Sequence, residues 1–76
     1  MKTEEFLVEL EDVLQRDEPC NLGDTLADYE EWDSLSKMAV MAYYKKNFDV
    51  AITLNDLKEV KTVEDIVKLA GDKIEA

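Results

Sequence analysis

One proline and two glycines are the only residues of their kind in this chain of 76, at Pro19, Gly23 and Gly71. Two of the three fall within one short stretch, so the runs on either side are left without sharp-turn residues. Such a chain is suited to helices joined by loops. Apolar residues within the runs recur at helical spacing, and no strand-like alternation, internal repeat or low-complexity tract interrupts them.

Phe6, Leu7, Leu10, Val13 and Leu14 mark one face of an amphipathic helix from about Thr3 to Gln15, with Thr3 as its cap and glutamates in its first turn. Pro19 and Gly23 punctuate a long connection reaching Asp33, in which Leu22, Leu26 and Tyr29 are spaced as anchors onto a core. A second helix is expected from the Asp33-Ser34 pair to about Asn47. Its apolar residues fall on two sides at 100° per residue. Val40, Met41 and Tyr44 share one side with Phe48 beneath them, while Leu35, Met38 and Ala42 lie on the other, flanked by Lys45 and Lys46. The bulkier group predicts core. The second group is either an exposed apolar strip or a face that a neighbouring loop covers.

A short third helix starts near Thr53 or Asn55 and carries Leu54, Leu57 and Val60. Thr62 caps a fourth, with Glu64 and Asp65 in its first turn. Val63, Ile66, Val67, Ala70 and Ile74 follow at helical spacing, and Gly71 loosens its end. The pattern predicts one all-α domain over residues 1–76, a small four-helix bundle with three main helices and a short third.

Charge and composition narrow the function. Nineteen acidic against nine basic side chains give a net charge of −10, which repels nucleic acid and anionic lipid and favours basic surfaces on protein partners. There is no histidine, so neither a Ser-His-Asp nor a Cys-His arrangement can be assembled, and zinc ligands are lacking. Asp24, Asp28, Glu30, Glu31 and Asp33 read as a solvated acidic loop without calcium-loop spacing. Cys20, the single cysteine, lies in a loop-like stretch and reads as incidental. It permits no internal disulfide, which fits a reducing compartment. The N-terminal Met-Lys-Thr-Glu-Glu-Phe-Leu lacks a signal-peptide run. A monomeric cytoplasmic protein that is not an enzyme, and binds neither nucleic acid nor membrane, is the expectation.

The remaining question is Ser34. Taken alone, Asp33-Ser34 is a pair of helix caps, both side chains accepting from free backbone N–H groups. On that reading the chain is an unmodified helical interaction module. The layout around the pair carries more information: an apolar helix, a long loop with Leu26 eight residues upstream, Asp33-Ser34-Leu35 at the mouth of helix two, Phe48-Asp49 at its end, and Thr62-Val63-Glu64-Asp65-Ile66 opening the last helix. Across nearly all of its length the chain resembles the acyl carrier protein family.

That resemblance implies 4′-phosphopantetheine from coenzyme A attached to Ser34, with Asp33 assisting the transferase, for example at its catalytic Mg²⁺. It implies acyl cargo held as a thioester, or aminoacyl cargo in a D-alanyl or peptidyl carrier. Partners would be a phosphopantetheinyl transferase, loading enzymes and acyl-transfer enzymes. Leu35, Met38 and Ala42 would form the docking surface, with Glu30 and Glu31 supplying steering charge. Leu7, Leu10, Val40, Met41, Tyr44, Leu57 and Ile66 are the candidates for an acyl groove. Two departures from the family pattern point to a specialised pathway. Trp32 stands where a small residue is usual, and helix two has Lys37, Ala39, Lys45 and Lys46 where fatty-acid carriers are markedly acidic.

Overall fold

The computed structural model describes residues 1–75. Four helices follow one another: α1 (Thr3–Leu14), α2 (Ser34–Phe48), α3 (Leu54–Glu59) and α4 (Val63–Leu69), with single 3₁₀ turns at Leu26–Asp28 and Gly71–Lys73. The architecture is the all-α bundle of acyl-carrier type. None of the described helices is long and apolar enough to cross a membrane.

The helix ends are set by local chemistry. Thr53 and Thr62 each accept a hydrogen bond from the backbone N–H three residues on, and Asp56 and Asp65 reciprocate at the cap residues' own N–H groups. At α1 the expected cap is displaced. Lys2 occupies the cap position, and Thr3 is the first helical residue, its hydroxyl donating to the carbonyl of Glu75. The chain's two ends are thereby joined, with Thr3 N–H bonded to Glu75 O and Glu75 N–H to Met1 O, both at 2.7 Å. Gln15 leaves the helix in the left-handed region and terminates α1 one residue before the expected end. Ile74 also lies outside the helix its spacing assigned it to. Gly71, at φ 63°, turns the chain after Ala70, and Ile74 packs into the core from the segment beyond.

The core is built where the periodicity placed it. Phe6, Leu10 and Leu14 of α1 meet Val40, Tyr44 and Phe48 of α2, with Leu57, Val63 and Ile66 closing the far side. Phe6, Tyr44 and Phe48 pack edge to face or tilted, their ring centroids 5.2–6.3 Å apart. Tyr44 is fully buried, and its hydroxyl donates to the carbonyl of Ile66, tying α2 to α4.

The connection between α1 and α2 is fixed onto this core. Leu26 and Tyr29 are buried as expected, with Leu22 partly so. Backbone bonds from Leu26 N–H to Lys61 O, Val63 N–H to Asp24 O and Glu64 N–H to Leu22 O dock the loop against the α3–α4 junction. Cys20 is also buried, so it is a core residue rather than an incidental loop residue. Burial holds its thiol pKa above the ordinary range.

Candidate functional site

The N-terminus of α2 resolves the choice between cap and free hydroxyl. Asp33 alone holds the cap position. Its Oδ1 accepts from Ser36 N–H at 2.9 Å, and Ser36 Oγ accepts from Asp33 N–H at 2.9 Å. The expectation that both Asp33 and Ser34 cap is therefore corrected: the reciprocal partner is Ser36, which is buried, while Ser34 is the exposed first residue of the helix. The reason is geometric. A cap must sit outside the helix in extended backbone, as Asp33 does at φ −135°, and its partner lies three residues on. Ser34, once helical, projects outward at the positive end of a fifteen-residue helix with its hydroxyl outside the capping box.

The loop before the serine is held by the chain's one arginine. The Arg16 guanidinium lies 3.7 Å from the centroid of the Tyr29 ring, and donates to Glu31 Oε1 at 2.9 Å and to Glu18 Oε2 at 3.3 Å. Its side chain is only 12% exposed, so this pairing is better shielded than an ordinary surface salt bridge. Tyr29 in turn donates its hydroxyl to Asp24 at 2.6 Å. That bond is the first cause holding the Asp24 carboxyl below its usual range, while Glu31 is lowered first by a backbone N–H and then by Arg16. The acidic loop is thus not simply solvated: Asp24 and Glu31 are built into a network, whereas Asp28 and Glu30 are exposed. Sequence reasoning passed over both Arg16 and Ser36. A lone arginine beside eight lysines was the only signal for the first, and a polar residue three after an Asp cap the signal for the second.

Along α2 the two apolar groups separate as the periodicity required. Val40 and Tyr44 are buried and Met41 is half-buried, while Leu35 is 78% exposed, Met38 57% exposed, and Ala42 exposed too. Among the described residues no loop covers the second group. Trp32 packs partly against the core, and the Lys37 ammonium stands 5.6 Å from its ring centroid.

The family model for the phosphopantetheine attachment site matches residues 4–70. The chain belongs to this family. Comparison with curated proteins and with solved structures returns no match. The domain is accordingly a carrier protein, a site for covalently bound 4′-phosphopantetheine, working with the enzymes that modify it and handle its acyl groups. The α2 N-terminus fits that group. An accessible hydroxyl stands free of the capping box, first-turn backbone amides favour an attached phosphate, and Asp33 keeps its second carboxylate oxygen outside the box.

Of the carrier's seven candidate groove residues, Leu10, Val40, Tyr44, Leu57 and Ile66 lie in the packed core, and Met41 packs at its edge. Leu7 instead borders a surface groove between α1 and α4, whose apolar floor is completed by Leu22, Val67 and Ile74. A separate cleft beside the α2 N-terminus is lined by Val13, Gln15, Glu31, Asp33, Leu35 and Ala39, among others.

Proposed function

We propose that Ser34 is the residue that receives the 4′-phosphopantetheine arm, and that the protein is a non-catalytic, monomeric cytoplasmic carrier in a specialised biosynthetic pathway. The observation that carries this reading is the division of labour at the α2 N-terminus. Asp33 and Ser36 satisfy the helix end, leaving the Ser34 hydroxyl outward and uncommitted. In the modification step Ser34 Oγ forms a bond to the phosphorus adjoining pantetheine in coenzyme A. The pyrophosphate P–O bond breaks, adenosine 3′,5′-bisphosphate leaves, and the hydroxyl proton passes to a base on the transferase. This accounts for reactive chemistry on a chain without histidine. Asp33 assists through the oxygen it does not use for capping. When attached, the arm supplies a terminal thiol that holds cargo as a thioester.

The chain's own residues then present that arm. Leu35, Met38 and Ala42 form the apolar centre of a transient docking surface, with Glu30 and Glu31 beside the attachment point, Glu31 held in place by Arg16. The packing of Leu10, Val40, Tyr44, Leu57 and Ile66 favours a short cargo, acyl or aminoacyl, carried outside the bundle. Tyr44 supports this most directly, since its ring fills the interior and its hydroxyl is bonded to Ile66.

The test is incubation with coenzyme A, Mg²⁺ and a broad-specificity phosphopantetheinyl transferase, followed by intact-mass measurement. The wild-type chain gains one phosphopantetheine, and Ser34→Ala gains none while keeping its helical circular dichroism. Modification of Ser34→Ala, or of Ser36 in its place, refutes the assignment.

A further inference from the structure

The outward face of α2 carries a charge arrangement that its apolar strip alone does not explain. Between Ser34 and Phe48 there are three lysines and no carboxylate, in a chain of net charge −10. At 100° per residue, Leu35, Met38, Ala42, Lys45 and Lys46 fall within about 100° of one another. Lys45 and Lys46 therefore extend the exposed strip toward its C-terminal end, and both are exposed. Lys45 is bonded to Asp49 at 2.9 Å in an exposed pair, whereas Lys46 forms no salt bridge among the described residues. The opposite end of the strip is acidic: Glu30 and Asp33 are exposed in the segment that leads into Ser34, with Glu31 between them paired to Arg16. From Ser34 to Lys46 the helix rises roughly 18 Å.

We propose that this face is a bipolar docking strip, and that its partner is an enzyme surface of matching polarity. Such a partner has an apolar centre for Leu35, Met38 and Ala42, basic residues around the entrance that receives the arm, and an acidic cluster roughly 18 Å further along. The proposal deepens the carrier reading and rests on it. Two charges of opposite sign at the two ends of an apolar strip fix the direction in which α2 lies on its partner. An end-for-end reversal would set acid against acid and base against base. A uniformly acidic helix offers no such discrimination. The arrangement also selects partners, because a wholly basic surface meets repulsion at Lys46.

The decisive probe is an anionic one, which the net charge of the chain otherwise repels. Holo protein, its modification verified by intact mass, is labelled with ¹⁵N and titrated with a helical peptide bearing a leucine face rimmed by glutamates. Amide shifts are expected along Leu35, Met38, Ala42, Lys45 and Lys46. The affinity should fall about tenfold in Lys46→Glu, and again between about 0.05 and about 0.3 M salt. Lys45→Gln/Lys46→Gln serves as the milder variant, with circular dichroism confirming helicity in both. A matched peptide rimmed by lysines should shift Glu30 and Glu31 instead. Absence of α2 shifts, equal affinity in the Lys46 variants, or stronger association with phosphatidylglycerol vesicles than with the peptide overturns the proposal. Failure of the carrier reading shows separately, as an unchanged mass before any titration.

Discussion

The two faces of α2 are made of similar residues and have opposite fates. Inward, Val40, Tyr44 and Phe48 are buried against α1 and α4. Outward, Leu35 and Met38 are both more than half exposed, and none of the described residues covers them. A domain this small needs most of its apolar residues in its core. Two large side chains of one helix face left outside, beside an accessible serine, are the ground on which that face is proposed as a docking surface. On that proposal stability lives on one face of α2 and presentation of cargo on the other.

That separation is breakable by substitution. On the inner face, Tyr44→Ala removes a fully buried ring and is expected to cost about 3–5 kcal/mol. Against a total of about 5–15 kcal/mol, urea titration should show a large fraction of the fold's stability lost. Tyr44→Phe sharpens the result. It leaves the Ile66 carbonyl without its donor and should cost about 1–3 kcal/mol. A loss for Tyr44→Ala no greater than for an exposed site would place the core elsewhere.

On the outer face, Met38→Glu should leave the unfolding free energy from urea titration within about 0.5 kcal/mol of wild type. Turnover by a loading enzyme should fall about tenfold, because a charge now sits at the centre of the docking strip. A variant that unfolds, or that turns over normally, erases the distinction between the faces.

Between these two sits the cap. Ser36→Ala deletes the hydroxyl that accepts from Asp33 N–H and should cost about 1 kcal/mol by denaturation. A drop in the rate of phosphopantetheine transfer is expected alongside, since the same box fixes the helix end that carries Ser34. Ser34→Ala should leave denaturation unchanged, its hydroxyl being outside the box.

The ease with which these features read from sequence follows their range. Helical spacing is local, so α1, α2 and α4 and both faces of α2 were legible, as was the cap at Thr62. The Asp33–Ser36 box was missed because the adjacent pair Asp33-Ser34 was the one considered for capping, whereas the reciprocal partner lies three residues on. Ile74 kept helical phase although Gly71 had already turned the chain, a conformation that spacing does not record. Arg16 was illegible for a different reason. Glu31 lies fifteen residues away and Tyr29 thirteen, and only the docking of the loop brings all three together. The buried course of Cys20 and the closure of Thr3 onto Glu75 are likewise products of tertiary contact.

The loop network offers the smallest and most local test. Asp24 titrates below its ordinary range chiefly because Tyr29 donates to its carboxylate. Burial and that same bond hold the phenol well above its usual value, so it stays a donor through the acid range. A carboxyl depressed in the folded state stabilises that state fully above its unfolded pKa of about 3.9, and the contribution is lost as pH falls through the lower folded value. Tyr29→Phe removes the donor while keeping the ring under Arg16. In carboxyl-detected NMR titration the Asp24 midpoint should rise toward the ordinary value, so that any loosening of the loop begins at higher pH. Glu31, lowered by a backbone N–H and Arg16 rather than by Tyr29, should keep its depressed midpoint in the same variant. If both carboxyls move together, the loop is held as one unit and the phenol's contribution cannot be separated from that of the arginine. If neither moves, Asp24 is held down by its bonds to Asn21, and Tyr29 anchors the loop through its ring alone.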